Sequence, residues 1–290
     1  MELKGVYTAI ATPFKQNGSV DYEAFQSLIE EQIASGVSGL VPVGTSGESP
    51  TLNMQEHSEV ISAAVKIANG RCKIMAGSGA NSTAEAIELT KRAKDDGADC
   101  SLQVTPYYNK PTQEGLYRHF STIADSCGLP IVLYNVPGRT GIPIAVDTIV
   151  RLVKNENVIG VKEAGGSVDR VSEILNLCQT DIMCGDDSLT VPMISVGAKG
   201  VISVASNVIP AEMSKMVAAC LAGDFAAARQ IHAKYYSLFK NLFVESNPIP
   251  VKAALAMLGK MEEVYRLPLC PMAPKNREIL QNTLKECGLL

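Results

Sequence analysis

Short runs of apolar, β-branched residues alternate with longer stretches whose apolar positions recur every three or four residues, from the amino terminus to about residue 220. The short runs predict strands at Val6–Ala11, Gly39–Val43, Lys73–Gly77, Cys100–Thr105, Ile131–Asn135, Val158–Glu163, Ile182–Cys184 and Gly200–Val204. Between them lie helical stripes such as Tyr22, Phe25, Leu28, Ile29 and Ile33, or Val60, Ala63, Ala64 and Ile67. Ser82-Thr83-Ala84-Glu85 has the spacing of a capping box. A βα period repeated without an interrupting linker predicts an α/β fold, a closed (β/α)8 TIM barrel, and not an open doubly wound sheet. No G-x-G-x-x-G follows the first strand, so a dinucleotide site lacks its signature.

From about Gly223 the strand signal stops. Ala228, Ile231, His232, Tyr235, Leu238 and Leu242 form a helical stripe, and Pro248 opens another helix that includes Val251–Leu258. The expected organisation is a catalytic barrel over residues 1–222 and a C-terminal helical extension over 223–290, packed on the barrel without a free linker.

Composition narrows the function classes. The chain has 290 residues, 46% of them hydrophobic, enough for a large buried core. A net charge of -4, without a basic block beside aromatic residues, argues against a nucleic-acid partner. Neither a membrane span nor a signal peptide is visible, so a cytoplasmic location is expected. The 8 cysteines are scattered without a C-x-x-C, and His57, His119 and His232 share no ligand spacing. Neither a disulfide framework nor a metal centre is expected.

The candidate chemistry sits where strands end, as it does in barrels of this kind. Lys162 closes the apolar run Val158-Ile159-Gly160-Val161. A lysine buried there is desolvated, which favours the neutral amine, a nucleophile towards ketones and aldehydes. To serve near neutral pH, its ordinary pKa of about 10.4 would have to fall by roughly 2 to 3 units. Adjacent parallel strands are about 4.8 Å apart, so Tyr134, near the end of the neighbouring strand, can face the same ligand. If Lys162 points inward, alternation turns Gly160 and Val158 inward too, and Gly160 leaves space below the amine.

Gly44-Thr45-Ser46-Gly47-Glu48 offers backbone amides and two hydroxyls to a small carboxylate. Arg139 follows Tyr134 in a loop and can hold a second carboxylate in a bidentate fork. Tyr107 and Tyr108 lie between prolines in a loop, available to a ligand or a neighbouring subunit. Asp186 and Asp187 precede a helix and read as caps. Together these residues describe a Schiff-base enzyme. Lys162 attacks a keto acid, the Gly44–Glu48 loop holds the acid's carboxylate, Tyr134 moves protons, and the imine becomes an enamine that attacks a second carbonyl. No cofactor is required.

In order, Thr12-Pro13-Phe14, Gly44-Thr45-Ser46-Gly47-Glu48-Ser49, Thr105-Pro106-Tyr107-Tyr108-Asn109-Lys110-Pro111, Tyr134-Asn135-Val136-Pro137-Gly138-Arg139-Thr140, Val161-Lys162-Glu163-Ala164, Gly185-Asp186-Asp187, Gly200-Val201-Ile202-Ser203 and Asn247-Pro248-Ile249-Pro250-Val251-Lys252 span nearly the whole chain. This series resembles the dihydrodipicolinate synthase family of the pyruvate-dependent N-acetylneuraminate lyase superfamily. The resemblance implies condensation of pyruvate with L-aspartate 4-semialdehyde to 4-hydroxy-tetrahydrodipicolinate, on the route to diaminopimelate and lysine.

By similarity Lys162 forms the imine, and Thr45, Tyr134 and Tyr108 relay protons, with Tyr108 entering a neighbouring subunit's site. Thr45 and Ser46 would bind pyruvate and Arg139 the semialdehyde carboxylate, with Gly185 and Ile202 offering carbonyls nearby. The resemblance also implies a homotetramer built from two tight dimers.

Ser49, Pro50, Met54, His57, Asn81, Glu85 and Tyr107 match the family's regulatory lysine site. Met54 stands there in place of a histidine and Pro50 in place of a small residue. A thioether lacks the charge and donor of imidazole, so weak or absent lysine feedback is expected. The nearest rivals are a sister aldolase acting on a sugar acid, such as N-acetylneuraminate lyase, and a non-catalytic barrel that binds a carboxylate. Arg139 disfavours the first, because a sugar calls for neutral hydrogen-bonding groups. The joint presence of Lys162, Tyr134 and Thr45 disfavours the second.

Overall fold

The computed structural model describes all 290 residues. Eight parallel strands close into a barrel in sequence order: β1 (Gly5–Thr8), β2 (Gly39–Leu40), β3 (Lys73–Ala76), β4 (Cys100–Val104), β5 (Ile131–Asn135), β6 (Val158–Glu163), β7 (Asp181–Cys184) and β8 (Gly200–Ser203). β8 returns to β1 with Gly5 opposite Gly200 and Thr8 opposite Ser203. The (β/α)8 barrel expected from the hydrophobic pattern is therefore present.

Strand β2 is shorter than its apolar run. Pro42 has no N–H for the ladder, and Val43 turns the chain to a φ of 50°, so pairing stops at Leu40. The helical stripes become Tyr22–Ala34 and Met54–Ala68, which bury Phe25, Leu28 and Ile29, and Val60 and Ile61, against the barrel's outer face. Ser82 precedes its helix without a side-chain cap bond, so the expected capping box does not form there. The capping box lies one helix earlier, where Asn53 accepts from Glu56 N and the Glu56 carboxylate accepts from Asn53 N.

Two hydrophobic layers result. The outer one lies between strands and helices. The inner one fills the barrel with Leu3, Tyr7, Val41, Met75, Leu102, Val132, Met183 and Ile202. Strand β6 carries an irregularity: Ile131 pairs with Val158, yet Val132 pairs with Gly160. The extra residue sends Val158 into the outer layer and lets Ile159 pack against the inner one, so Val158 does not share the face of Lys162. Nor is there space beneath Gly160. A Cβ there would come within 2.6 Å of Leu3 Cδ1, which occupies the position.

After the barrel come helices Phe225–Asn241, Ile249–Met257 and Pro274–Glu286, carrying the stripe around Tyr235 and Leu238 inward. No helix is long and apolar enough to cross a membrane. Gly200 shows how tight the closing seam is, since a Cβ there would lie 1.9 Å from the carbonyl oxygen of Gly5. Gly200→Ala is expected to lower stability by about 3 kcal/mol, the upper end of ordinary overpacking, read from the urea midpoint at unchanged slope.

Candidate active site

At the carboxyl ends of the strands a cavity of about 280 Å³ is lined by Thr45, Ser46, Tyr134, Arg139, Lys162 and Gly185, among others. Lys162 is only 6% exposed. Tyr134 is its register partner on β5, and Lys162 Nζ lies 4.2 Å from the phenol ring centroid. Gly185 gives the lysine chain room, because a Cβ at that position would lie 3.1 Å from Lys162 Cε.

The residues after these two turn the other way and are tied down. Asn135 Nδ2 donates to both oxygens of the buried Glu163 carboxylate, at 2.8 and 3.0 Å. Gly165 N and Arg170 Nε donate to it as well, at 2.7 and 2.9 Å. Asn135 Oδ1 accepts from Ile144 N at 2.9 Å. A buried carboxylate needs such partners, and here they lock the strand ends that carry Tyr134 and Lys162.

The Gly44–Glu48 loop is a succession of tight turns. Gly47 N and Ser49 N donate to the Gly44 carbonyl, and Glu48 N donates to that of Thr45. Thr12 Oγ1 donates to the Gly47 carbonyl at 2.7 Å, joining the loop to the first βα connection. Gly77 must be glycine here, since a Cβ would lie 2.5 Å from the carbonyl oxygen of Val43.

Residues from the helix Phe225–Asn241 and the connection that follows it complete the wall. Phe239, Lys240, Phe243 and Asn247 line the cavity, although no strand end carries them. Asn247 Nδ2 donates to Ser46 Oγ at 3.0 Å, and its carbonyl accepts from Arg139 Nη2 at 3.1 Å. One buried asparagine thus joins the carboxylate loop to the mouth arginine. The Asn247-Pro248 motif marked this segment in the sequence, but nothing local indicated which strands it would meet.

Other candidates lie elsewhere. Ile202 is packed in the inner barrel and is not in the cavity wall. Tyr108 is 91% exposed, outside the cavity, with a φ of 72°. Its neighbour Tyr107 is held by Asn81, whose Nδ2 donates to the Tyr107 carbonyl at 3.1 Å, and the Glu85 charge adds to burial in raising the Tyr107 pKa. Ser49 is half-buried. His57 is buried, with Nε2 3.1 Å from the Gly77 carbonyl, and burial lowers its pKa.

Comparison with known proteins places the chain in a family. Residues 2–287 match the dihydrodipicolinate synthetase family. The chain belongs to that family. It is 54% identical over 290 residues to the 4-hydroxy-tetrahydrodipicolinate synthase of Hydrogenobaculum sp., covering 99% of this chain and 100% of the relative. It is 50% identical over 289 residues to that of Geobacter metallireducens, covering 99% of each. The solved 4-hydroxy-tetrahydrodipicolinate synthase structure from Methylacidiphilum fumariolicum superposes with a TM-score of 0.98 at 52% identity, over 99% of this chain and 96% of that one.

In this dihydrodipicolinate synthetase family member, Asp187 does not cap the helix that follows it. Its carboxylate accepts from Ser203 Oγ at 2.6 Å and from the amides of Val204 and Ala205 at 3.1 and 2.8 Å, so it caps the turn after β8. Burial raises its pKa to about 6, against these hydrogen bonds. The folded carboxyl therefore takes up its proton near pH 6 and the unfolded one near pH 4, so between those values the native state holds more protons. Stability is expected to fall by on the order of 2 kcal/mol as pH rises through this window, and Asp187→Asn to flatten the trend, as read by denaturant titration at each pH.

Proposed function

We propose that Lys162 is the nucleophile of a 4-hydroxy-tetrahydrodipicolinate synthase reaction, joining pyruvate to L-aspartate 4-semialdehyde. The observation that carries this is the buried amine, in one small cavity with Tyr134, Thr45, Ser46 and Arg139. The Lys162 nitrogen adds to the pyruvate ketone, and loss of water from the carbinolamine leaves an imine. Loss of a methyl proton gives the enamine, whose carbon forms the new bond to the aldehyde. The amino group of the second substrate then replaces the lysine nitrogen, closing the ring and freeing the enzyme.

Each surrounding residue has a chemical task. The Thr45 and Ser46 hydroxyls and loop amides receive the pyruvate carboxylate, and Arg139 at the mouth pairs with that of the semialdehyde. Tyr134 and Thr45 relay protons, with Gly185 in the cavity wall supplying a backbone carbonyl nearby. Tyr108, exposed on its loop, completes the relay in a partner subunit, within a homotetramer of two tight dimers. Residues 1–222 act as the catalytic barrel and 223–290 as a packed extension, in a cytoplasmic biosynthetic enzyme without a cofactor. A site with a guanidinium at its mouth suits a carboxylate-bearing aldehyde better than a sugar.

Borohydride reduction with pyruvate should leave a stable adduct on Lys162, identified by peptide mass, and none in Lys162→Met. Tyr134→Phe is expected to lower turnover by about 10²- to 10⁴-fold while the fold is retained. An unmodified Lys162 after borohydride treatment would remove the Schiff-base reading. A matched comparison of turnover with aspartate semialdehyde and with a sialic acid tests the choice of substrate.

The regulatory segment leads to a separate expectation. With Met54 and Pro50 at the positions noted above, activity should hold across millimolar lysine, and strong inhibition in that assay would contradict it. A relative from Cyanidioschyzon merolae, 40% identical, has been solved with lysine bound.

A further inference from the structure

The loop that faces the cavity is bracketed by two residues in the left-handed region, Val43 at a φ of 50° and Glu48 at 55°. A β-branched residue rarely adopts that conformation, and neither position is glycine. Such backbone persists only where surrounding contacts hold it. The contacts at Glu48 come from more than two hundred residues away. Its carboxylate pairs with Lys252, on helix Ile249–Met257, and both side chains are 0% exposed. Arg266 N also donates towards Glu48 Oε2, at 3.4 Å. The Lys252 nitrogen lies 4.2 Å from the Phe14 ring centroid and 5.4 Å from that of Tyr265, so aromatic faces surround what the carboxylate does not.

This pair is not explained by stability. Two buried charges cost desolvation that their attraction scarcely offsets, and well-packed apolar residues in their place are often as stable or more so. What a buried ion pair supplies is a single geometry. It fixes the turn whose preceding residues are Thr45 and Ser46, on the same segment that Asn247 grips through Ser46 Oγ.

We propose that Glu48 and Lys252 are positioning residues: their buried ion pair holds the strained turn so that the Thr45–Ser46 hydroxyls and amides are set for the keto-acid carboxylate beside Lys162. This rests on the Schiff-base reading above and deepens it. The pair never touches substrate. It acts on the first substrate's binding and leaves the second substrate's mouth arginine in place.

The test compares the full-length parent with Glu48→Gln/Lys252→Met, which removes both charges together and leaves neither stranded. Borohydride trapping over graded pyruvate gives the half-saturating concentration, thermal unfolding reports the fold, and steady-state kinetics separate KM for each substrate from kcat. The double variant should unfold within a few degrees of the parent yet need about tenfold more pyruvate for half-saturation, the scale expected when a binding group is misplaced. KM for the semialdehyde should stay near the parent value.

Glu48→Asp keeps the charge but shortens the arm, and about a threefold rise in half-saturating pyruvate is expected there. If the double variant does not fold, Glu48→Asp decides alone. Unchanged pyruvate half-saturation in the folded variants, with the parent trapped normally on Lys162, overturns the positioning role and leaves the catalytic reading intact. A parent that forms no adduct overturns both.

Discussion

Closure of the sheet is the constraint on which everything else depends. Because β8 pairs with β1 in the same direction as every other neighbour, all eight strands end on one rim. Residues as distant in sequence as Thr45, Tyr134, Lys162 and Gly185 meet there for that reason alone. The rim is fastened by buried polar side chains that bond to backbone. Asn207 Nδ2 donates to the Ala9 carbonyl while its Oδ1 accepts from Ala11 N, and Gln32 links Thr8 Oγ1 to the Ser206 carbonyl. Together with Asp187, these bonds carry the seam from β7 across β8 to β1 and satisfy groups that would otherwise be buried without partners.

Much of this was legible in the sequence because a barrel strand is buried on both faces and reads as a continuous apolar run. That signal locates all eight strands and puts Lys162 at the end of one. It does not show the irregularity in β6, since Val158 and Ile159 are equally apolar and only the partner strand decides which faces in. Nor does it show Leu3 filling the place left by Gly160, a contact between residues far apart in the chain. The cavity wall divides in the same way. Strand-end residues are found from local pattern, whereas Phe239 and Lys240 come from a helix, and Phe243 and Asn247 from the connection after it, whose docking is set by long-range packing. Tyr108 could be singled out by its proline-flanked loop, yet its position outside the cavity of its own chain is a fact of three dimensions.

Two buried acids lie close to the reactive residues, and each is matched by a base. Glu163 follows Lys162 directly and pairs with Arg170 at 2.9 Å, while Glu48 follows the carboxylate loop and pairs with Lys252. Burial lowers the pKa of Lys252 and the Glu48 charge raises it in opposition. In both cases the charge lies beside the reaction chamber and not in it. The ion pairs fix the backbone on either side of the cavity-lining side chains, which are thus held by neighbours outside the cavity.

The packing of Leu3, Ile159 and Met183 beneath the amine makes the site a blind-ended chamber. With its floor filled, the cavity is lined on the solvent side by the exposed Arg139 and Lys240. Under the proposed reaction, the keto acid that must reach the lysine lies deepest, and the aldehyde that joins it stands between it and solvent.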